Sequence, residues 1–137
     1  KHEALSEALR VTKKGGIVFV SYCISDASIL SYGFIDGKIK ELIEKKMIDT
    51  TTFKTTSYPW DIFELHRKSD IDELMSEYNV KRLHYIETDS YTNFMRETIN
   101  EMDDETFDIY LKYHYATCER VDMVGFTNHS LDIFTKI

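Results

Sequence analysis

The sequence predicts an α/β fold, half of a sandwich in which a mainly parallel sheet carries helices on both faces. Three observations lead there. The elements alternate in the order helix, strand, helices, strand, helices, strand. Residues 17–23, Ile-Val-Phe-Val-Ser-Tyr-Cys, form a nearly continuous β-branched and apolar run, which suits a strand buried on both faces. Gly15 and Gly16 separate that run from a preceding helix, as glycine does just past a helix C-terminus.

Taken in order, residues 2–13 form a helix whose apolar side carries Leu5, Ala8 and Leu9, with Val11 near its end. No Ser, Thr, Asp or Asn precedes it, so its natural cap is missing. After the strand, Ser25 and Asp26 cap a helical stretch over residues 27–34, interrupted at Gly33 and Gly37. Residues 38–47 place Ile39, Leu42, Ile43 and Met47 on one helix face. Residues 50–60 are polar and β-branched, contain the only proline, Pro59, and have no period, so they are expected to be a loop or short irregular strand. Ser69-Asp-Ile-Asp72 resembles a capping box, and Ile71, Leu74, Met75 and Tyr78 follow at helical spacing. Residues 80–88 are the second strand. Asp89 or Ser90 then caps a helix with Tyr91, Phe94, Met95, Ile99 and Met102 as its buried stripe. Asp103, Asp104 and Glu105 start a helix that runs to about Arg120 and buries Phe107, Tyr110, Leu111 and Cys118. Residues 130–136 alternate Leu131, Ile133 and Thr135 as the last strand.

The 137 residues are enough for one domain with a core of its own. A formal charge of -7 argues against nucleic acid or an anionic membrane as the main partner. No apolar run reaches the roughly 20 residues that span a bilayer, and no signal peptide opens the sequence. Cys23 and Cys118 match no metal spacing, and two free thiols in a reducing cytoplasm are expected. The histidines lack ligand spacing such as His-Glu-x-x-His, so no metal site is expected.

The stretch Glu3-Ala-Leu-Ser-Glu-Ala-Leu-Arg-Val-Thr-Lys-Lys-Gly-Gly-Ile-Val-Phe-Val20 resembles a signature of class I S-adenosylmethionine-dependent methyltransferases. There a helix ending in E-x-x-R-V-L-K-P-G-G leads into the fifth strand of a Rossmann-like sheet. Here Thr12 and Lys14 stand where the common pattern has Leu and Pro. The tail Asn128-His-Ser-Leu-Asp-Ile-Phe-Thr-Lys136 resembles the family's seventh strand, which inserts antiparallel beside the fifth. Tyr113-His-Tyr-Ala-Thr-Cys-Glu-Arg120, with Gly125 and the Asn128 segment, is similar to bacterial methyltransferases of undefined substrate. The resemblance implies strands five to seven of the sheet and a helical lid insertion over residues 27–78. It also implies S-adenosylmethionine as cofactor and a small molecule as substrate. In the family the glycine-rich cofactor loop lies upstream. This sequence has no Gly-x-Gly, and its Gly15-Gly16 pair stops a helix before a strand, the reverse of the turn such a loop requires. The chain is therefore expected to be a carboxyl-terminal portion, with no cofactor-binding residues of its own.

Methyl transfer from a sulfonium needs alignment, exclusion of water and, for some acceptors, removal of a proton. In an open α/β sheet the ligand lies beyond the carboxyl ends of the parallel strands. That draws in Tyr22, Asp26 and Tyr91. Tyr58 and Trp60, in the loop with Pro59, either enclose a substrate or cover the core. His114 and His129 are the candidate proton acceptors. His114 falls on the buried stripe of its helix, where a core histidine is the plainer alternative, and His129 is equally explained as a surface histidine. Arg120 either grips an anionic substrate or complements a helix C-terminus. Two rival readings stay open. One is a noncatalytic interaction module. The other is a nicotinamide-dependent oxidoreductase fragment, whose last strand would run parallel. With the fourth strand absent, residues 17–23 would present an apolar edge, and self-association through it, or its covering by the first helix, is expected.

Overall fold

The computed structural model describes residues 1–137. Helix α1, His2–Val11, has Lys1 at its N-cap and no side-chain cap, as the sequence implied. Leu5 and Leu9 are buried, whereas Val11 points to solvent. Lys136 closes the other end: its ammonium donates to the carbonyls of Leu9 (2.7 Å) and Thr12 (2.9 Å), a cation on the negative pole of the helix. Gly15 adopts φ 78°, which only glycine takes without strain, and turns the chain into β1, Ile17–Ile24.

Helix α2, Ser25–Ser28, continues directly into a π-helical run, Ile29–Ile35. Gly33 lies inside that run instead of interrupting it, and its lack of a side chain lets Ile39 pack closely, since a Cβ there would come within 3.3 Å of the Ile39 side chain. Helix α3, Ile39–Glu44, is shorter than expected, and an irregular segment with one bridge, Ile48 to Thr55, follows. Strand β2, Leu65–His66, was not foreseen. Helix α4, Lys68–Ser76, begins before the expected Ser69 cap: the backbone N–H of Arg67 donates to the Asp70 carboxylate at 2.9 Å. Strand β3, Val80–Glu87, is followed by a 3-10 turn, Thr92–Phe94, and helix α5, Arg96–Asn100. These replace the single helix expected there, and neither buries a residue. Helix α6, Asp104–Thr117, is capped by the Asp103 carboxylate, which accepts from the Thr106 N–H at 2.7 Å. A 3-10 turn, Val121–Phe126, leads into β4, His129–Lys136.

The four strands form one mixed sheet in the order β2-β1-β4-β3. Strand β4 is antiparallel to both β1 and β3 and lies between them, while β2 runs parallel to β1. Directly opposed residues share a face of a sheet. Val18 faces Phe134 and Arg82, and Tyr22 faces Ser130 and Glu87. This face meets α1 and α4: Leu5, Leu9, Ile71, Leu74 and Met75 pack with Val18, Tyr22, Ile24, Tyr85, Val124 and Phe134 in one core cluster. Each fully buried side chain of that size contributes about 1.5–3 kcal/mol.

Two expectations are corrected. Helices were expected on both faces, but α1 and α4 share one. On the other face of the sheet Ile17 and Phe19 are 54% and 62% exposed, so β1 is buried on one side only. The stripe expected in α6 also fails to form. The helix has no buried residue, and Phe107 is exposed. At the edge of β1, β2 pairs only with Cys23 and Ile24, so residues 17–22 have no strand partner on that side. Helix α1 packs on the face and leaves the edge open.

The buried face holds one ion pair. Asp132 is fully buried on β4 and receives two hydrogen bonds from Arg82, at 2.8 and 2.7 Å. Arg82 also donates to Asp72 of α4 at 2.6 Å, which ties helix to sheet. Cys23 and Cys118 are free and half-buried. No helix is long and apolar enough to cross a membrane.

Candidate functional site

Hollows cluster where β1 and β3 end, which is where an open α/β sheet presents its ligands. The turn after β3 is built around a residue the sequence did not single out, Thr127. Its hydroxyl is fully buried, accepts from the N–H groups of Asp89 (3.2 Å) and Ser90 (3.1 Å), and donates to the carbonyl of His129 (2.6 Å). This holds Ser90 at φ 48°, a left-handed conformation that a non-glycine residue adopts only when its surroundings enforce it. Asp89 does not cap a helix. Its carboxylate accepts from the backbone N–H of His129 at 2.7 Å and lies 2.6 Å from that residue's Nδ1. A carboxylate at Nδ1 favours the tautomer with the proton there and leaves Nε2 as an acceptor. The cross-strand register puts His129 opposite Cys23, on the sheet face that carries Phe19. Burial, and secondarily the charge of Asp89, push the Cys23 thiol up, so it is not a ready thiolate.

The strained turn aims Tyr91 into a hollow of about 270 Å³, lined also by Ser90, Met95, Tyr110, Tyr113 and His114. Tyr91 stacks on Phe126 with ring centres 4.8 Å apart, and the Tyr110 hydroxyl lies 2.7 Å from that of Thr92. The Nδ1 of His114 is buried and has no hydrogen-bond partner. A second, more polar cleft of about 620 Å³ adjoins this hollow through Met95 and is lined by Ser31, Tyr32, Asp36, Asn93, Arg96 and Asn128, among others. A third hollow, about 540 Å³ and mainly apolar, lies between the π-helical run and the loop before β2, with Ile29, Tyr32, Ile48, Trp60 and Ile62 in its wall.

The structure thus brings Tyr91 and His114 into one hollow, and it separates the other candidates. Tyr22 does not face the strand ends. The pleat turns it into the core, where its hydroxyl meets the Met75 sulfur at 3.6 Å and burial pushes its pKa up to about 12. Asp26 is occupied by the Arg67 guanidinium at 3.0 Å, and Arg120 by Asp122 at 2.7 Å. Tyr58 stacks flat on Trp60 at 5.0 Å and donates to the Lys46 carbonyl, and Trp60 alone of the two lines a hollow. No group of three or more His, Cys, Asp or Glu side chains is arranged to hold a metal ion.

Glu87 is the titratable group that sequence reasoning missed. It is fully buried at the end of β3, with neither carboxylate oxygen hydrogen-bonded. Burial pushes its pKa up to about 7, with Asp122 acting in the same direction and Arg120 against it. Its alternating position in β3 gives the only sequence signal, an acidic residue in register with core-facing positions.

Compared with known proteins, the sequence matches no family model and no curated protein.

Proposed function

We propose that this chain is the substrate-side, carboxyl-terminal portion of an S-adenosylmethionine-dependent methyltransferase that acts on a small molecule. The observation that carries the reading is the strand arrangement: β4 inserted antiparallel between β1 and β3, which run parallel to each other. The motif Arg10-Val11-Thr12-Lys13-Lys14-Gly15-Gly16, at the end of α1 and the turn into β1, resembles the segment that leads into the same arrangement in that family. The antiparallel β4 speaks against the nicotinamide oxidoreductase alternative, for which a parallel last strand was expected. The unpaired edge at residues 17–22 and the open face with Ile17 and Phe19 are surfaces that additional strands and helices would cover.

The residues of this chain do not fit the methyl donor. The passage from β1 into α2 contains no glycine, and the Gly15 turn leads from helix to strand. No donor contact is assigned to this chain, and its contribution is the acceptor side. The Tyr91–His114 hollow excludes water and orients the acceptor, and His114 or the Asp89-held His129 takes its proton where the acceptor carries one.

The test is to express the polypeptide encoded by the whole reading frame and measure donor binding and transfer of a labelled methyl group to metabolite extracts. Donor binding with labelled product supports the reading. Absence of donor binding by that polypeptide overturns it and favours a noncatalytic interaction module, for which the same open edge and face would serve as contact surfaces.

A further inference from the structure

The polar cleft that meets the Tyr91 hollow at Met95 holds an arginine without a counter-ion. Arg10, Arg67, Arg82 and Arg120 pair with Glu7, Asp26, Asp132 and Asp122 in turn. Arg96 makes no ion pair and no side-chain hydrogen bond, although the chain carries 24 acidic residues and Glu97 is its neighbour. Two carboxylates of the same cleft, Asp36 and Glu97, are likewise unpaired, and the wall amides of Asn93 and Asn128 make no side-chain hydrogen bond within the chain. The walls come from the π-helical run after β1 and from the 3-10 turn and α5 after β3. Their volume of about 620 Å³ falls in the range of roughly 300–1,000 Å³ that small-molecule sites occupy.

The lining selects by charge. A guanidinium holds a carboxylate through two parallel hydrogen bonds. A ligand with a carboxylate alone is also brought near Asp36 and Glu97, which repel it, and one with an ammonium alone meets Arg96. A molecule with both groups satisfies both signs. Tyr32, Ile35, Phe94 and Met95 complete the wall and suit an apolar body. We propose that this cleft binds a small zwitterion, an amino acid with an apolar side chain, its carboxylate on Arg96 and its ammonium toward Asp36 and Glu97. As a ligand site this stands without the methyl-transfer reading. Only the further statement that the zwitterion is the methyl acceptor, reaching past Met95 into the Tyr91 hollow, rests on that reading.

The experiment titrates three probes that share one ring into the isotope-labelled chain and follows its amide resonances: L-phenylalanine, 3-phenylpropanoate without the ammonium, and 2-phenylethylamine without the carboxylate. L-Phenylalanine is expected to give saturable shifts at Asp36, Asn93, Arg96 and Asn128, and the other two to bind about tenfold or more weakly. Arg96→Gln should weaken L-phenylalanine about tenfold or more and leave 2-phenylethylamine no weaker. Asp36→Asn combined with Glu97→Gln should weaken L-phenylalanine as well and leave 3-phenylpropanoate no weaker. All three side chains are exposed, and resonance dispersion shows that each variant folds. Equal affinities for the three probes, undiminished L-phenylalanine binding by Arg96→Gln, shifts centred on Trp60 and Ile62, or no saturable shift with L-phenylalanine would each overturn the assignment. Methyl transfer by the whole polypeptide that saturating L-phenylalanine does not inhibit would retain the site and remove its role as acceptor.

Discussion

Replacing Glu87 with Gln should favour the folded protein more at alkaline pH than at acid pH. Glu87 is fully buried, neither oxygen is bonded, and its pKa is pushed up from 4.5 to about 7. The sign follows from proton binding. Between those two values the native state holds the proton that the unfolded chain has released, so stability falls as pH rises through that window. At 1.36 kcal/mol for each tenfold difference in proton affinity, the full cost above pH 7 is about 3 kcal/mol. That is a large fraction of the 5–15 kcal/mol that typically holds a domain together. Gln keeps the shape and removes the ionisation. Any penalty for burying its amide is the same at every pH, so the pH dependence is the diagnostic quantity. Urea unfolding followed by far-ultraviolet circular dichroism measures it. The gain of Glu87→Gln over the parent should grow by about 2–3 kcal/mol between about pH 5 and about pH 8. A difference that stays constant over that range refutes the reasoning, because it would mean that the carboxyl does not ionise differently in the folded and unfolded states.

Further outcomes follow from the same geometry. Arg82→Met should destabilise by about 3 kcal/mol, because Asp132 stays buried without its counter-ion, and adding Asp132→Leu should restore part of the loss in the same urea assay. Thr127→Val should cost about 1–3 kcal/mol by stranding the N–H groups of Asp89 and Ser90, whereas Thr127→Ser should cost less, as read by thermal denaturation. Phe19→Lys should leave the stability of this chain within about 0.5 kcal/mol, since the side chain is 62% exposed, while lowering any self-association seen by light scattering.

Much of the sheet was legible because its signals are local. The Gly15 stop, the β-branched run of β1 and the alternation of β4 each act through neighbouring residues. The Ile71, Leu74, Met75 stripe also held, since it meets the sheet directly. What failed depended on partners distant in sequence. Tyr91, Phe94, Met95, Ile99 and Met102 have helical spacing, yet the Thr127 hydroxyl fixes Ser90 in a left-handed turn and breaks the run into a 3-10 turn and α5. Nothing near residue 90 announces a threonine 37 positions away. The apolar pattern of β1 suggested burial on both faces, but Ile17 and Phe19 are exposed and only the face with Val18, Tyr22 and Ile24 is buried, which an apolar pattern cannot distinguish. At the site, Tyr91 was nameable from its place beyond a strand end, and His114 only as a titratable residue on an expected helix stripe that does not form. Glu87 and Thr127 were not, since their roles come from burial and from cross-strand register.

Hydrogen exchange along β1 tests most directly whether these strands complete a larger sheet. In the 137-residue chain the amides of residues 17–22 that do not donate to β4 should exchange at nearly unprotected rates. In the polypeptide encoded by the whole reading frame the same amides should be protected by pairing with a further strand. Equal, rapid exchange at those amides in both polypeptides would contradict the account.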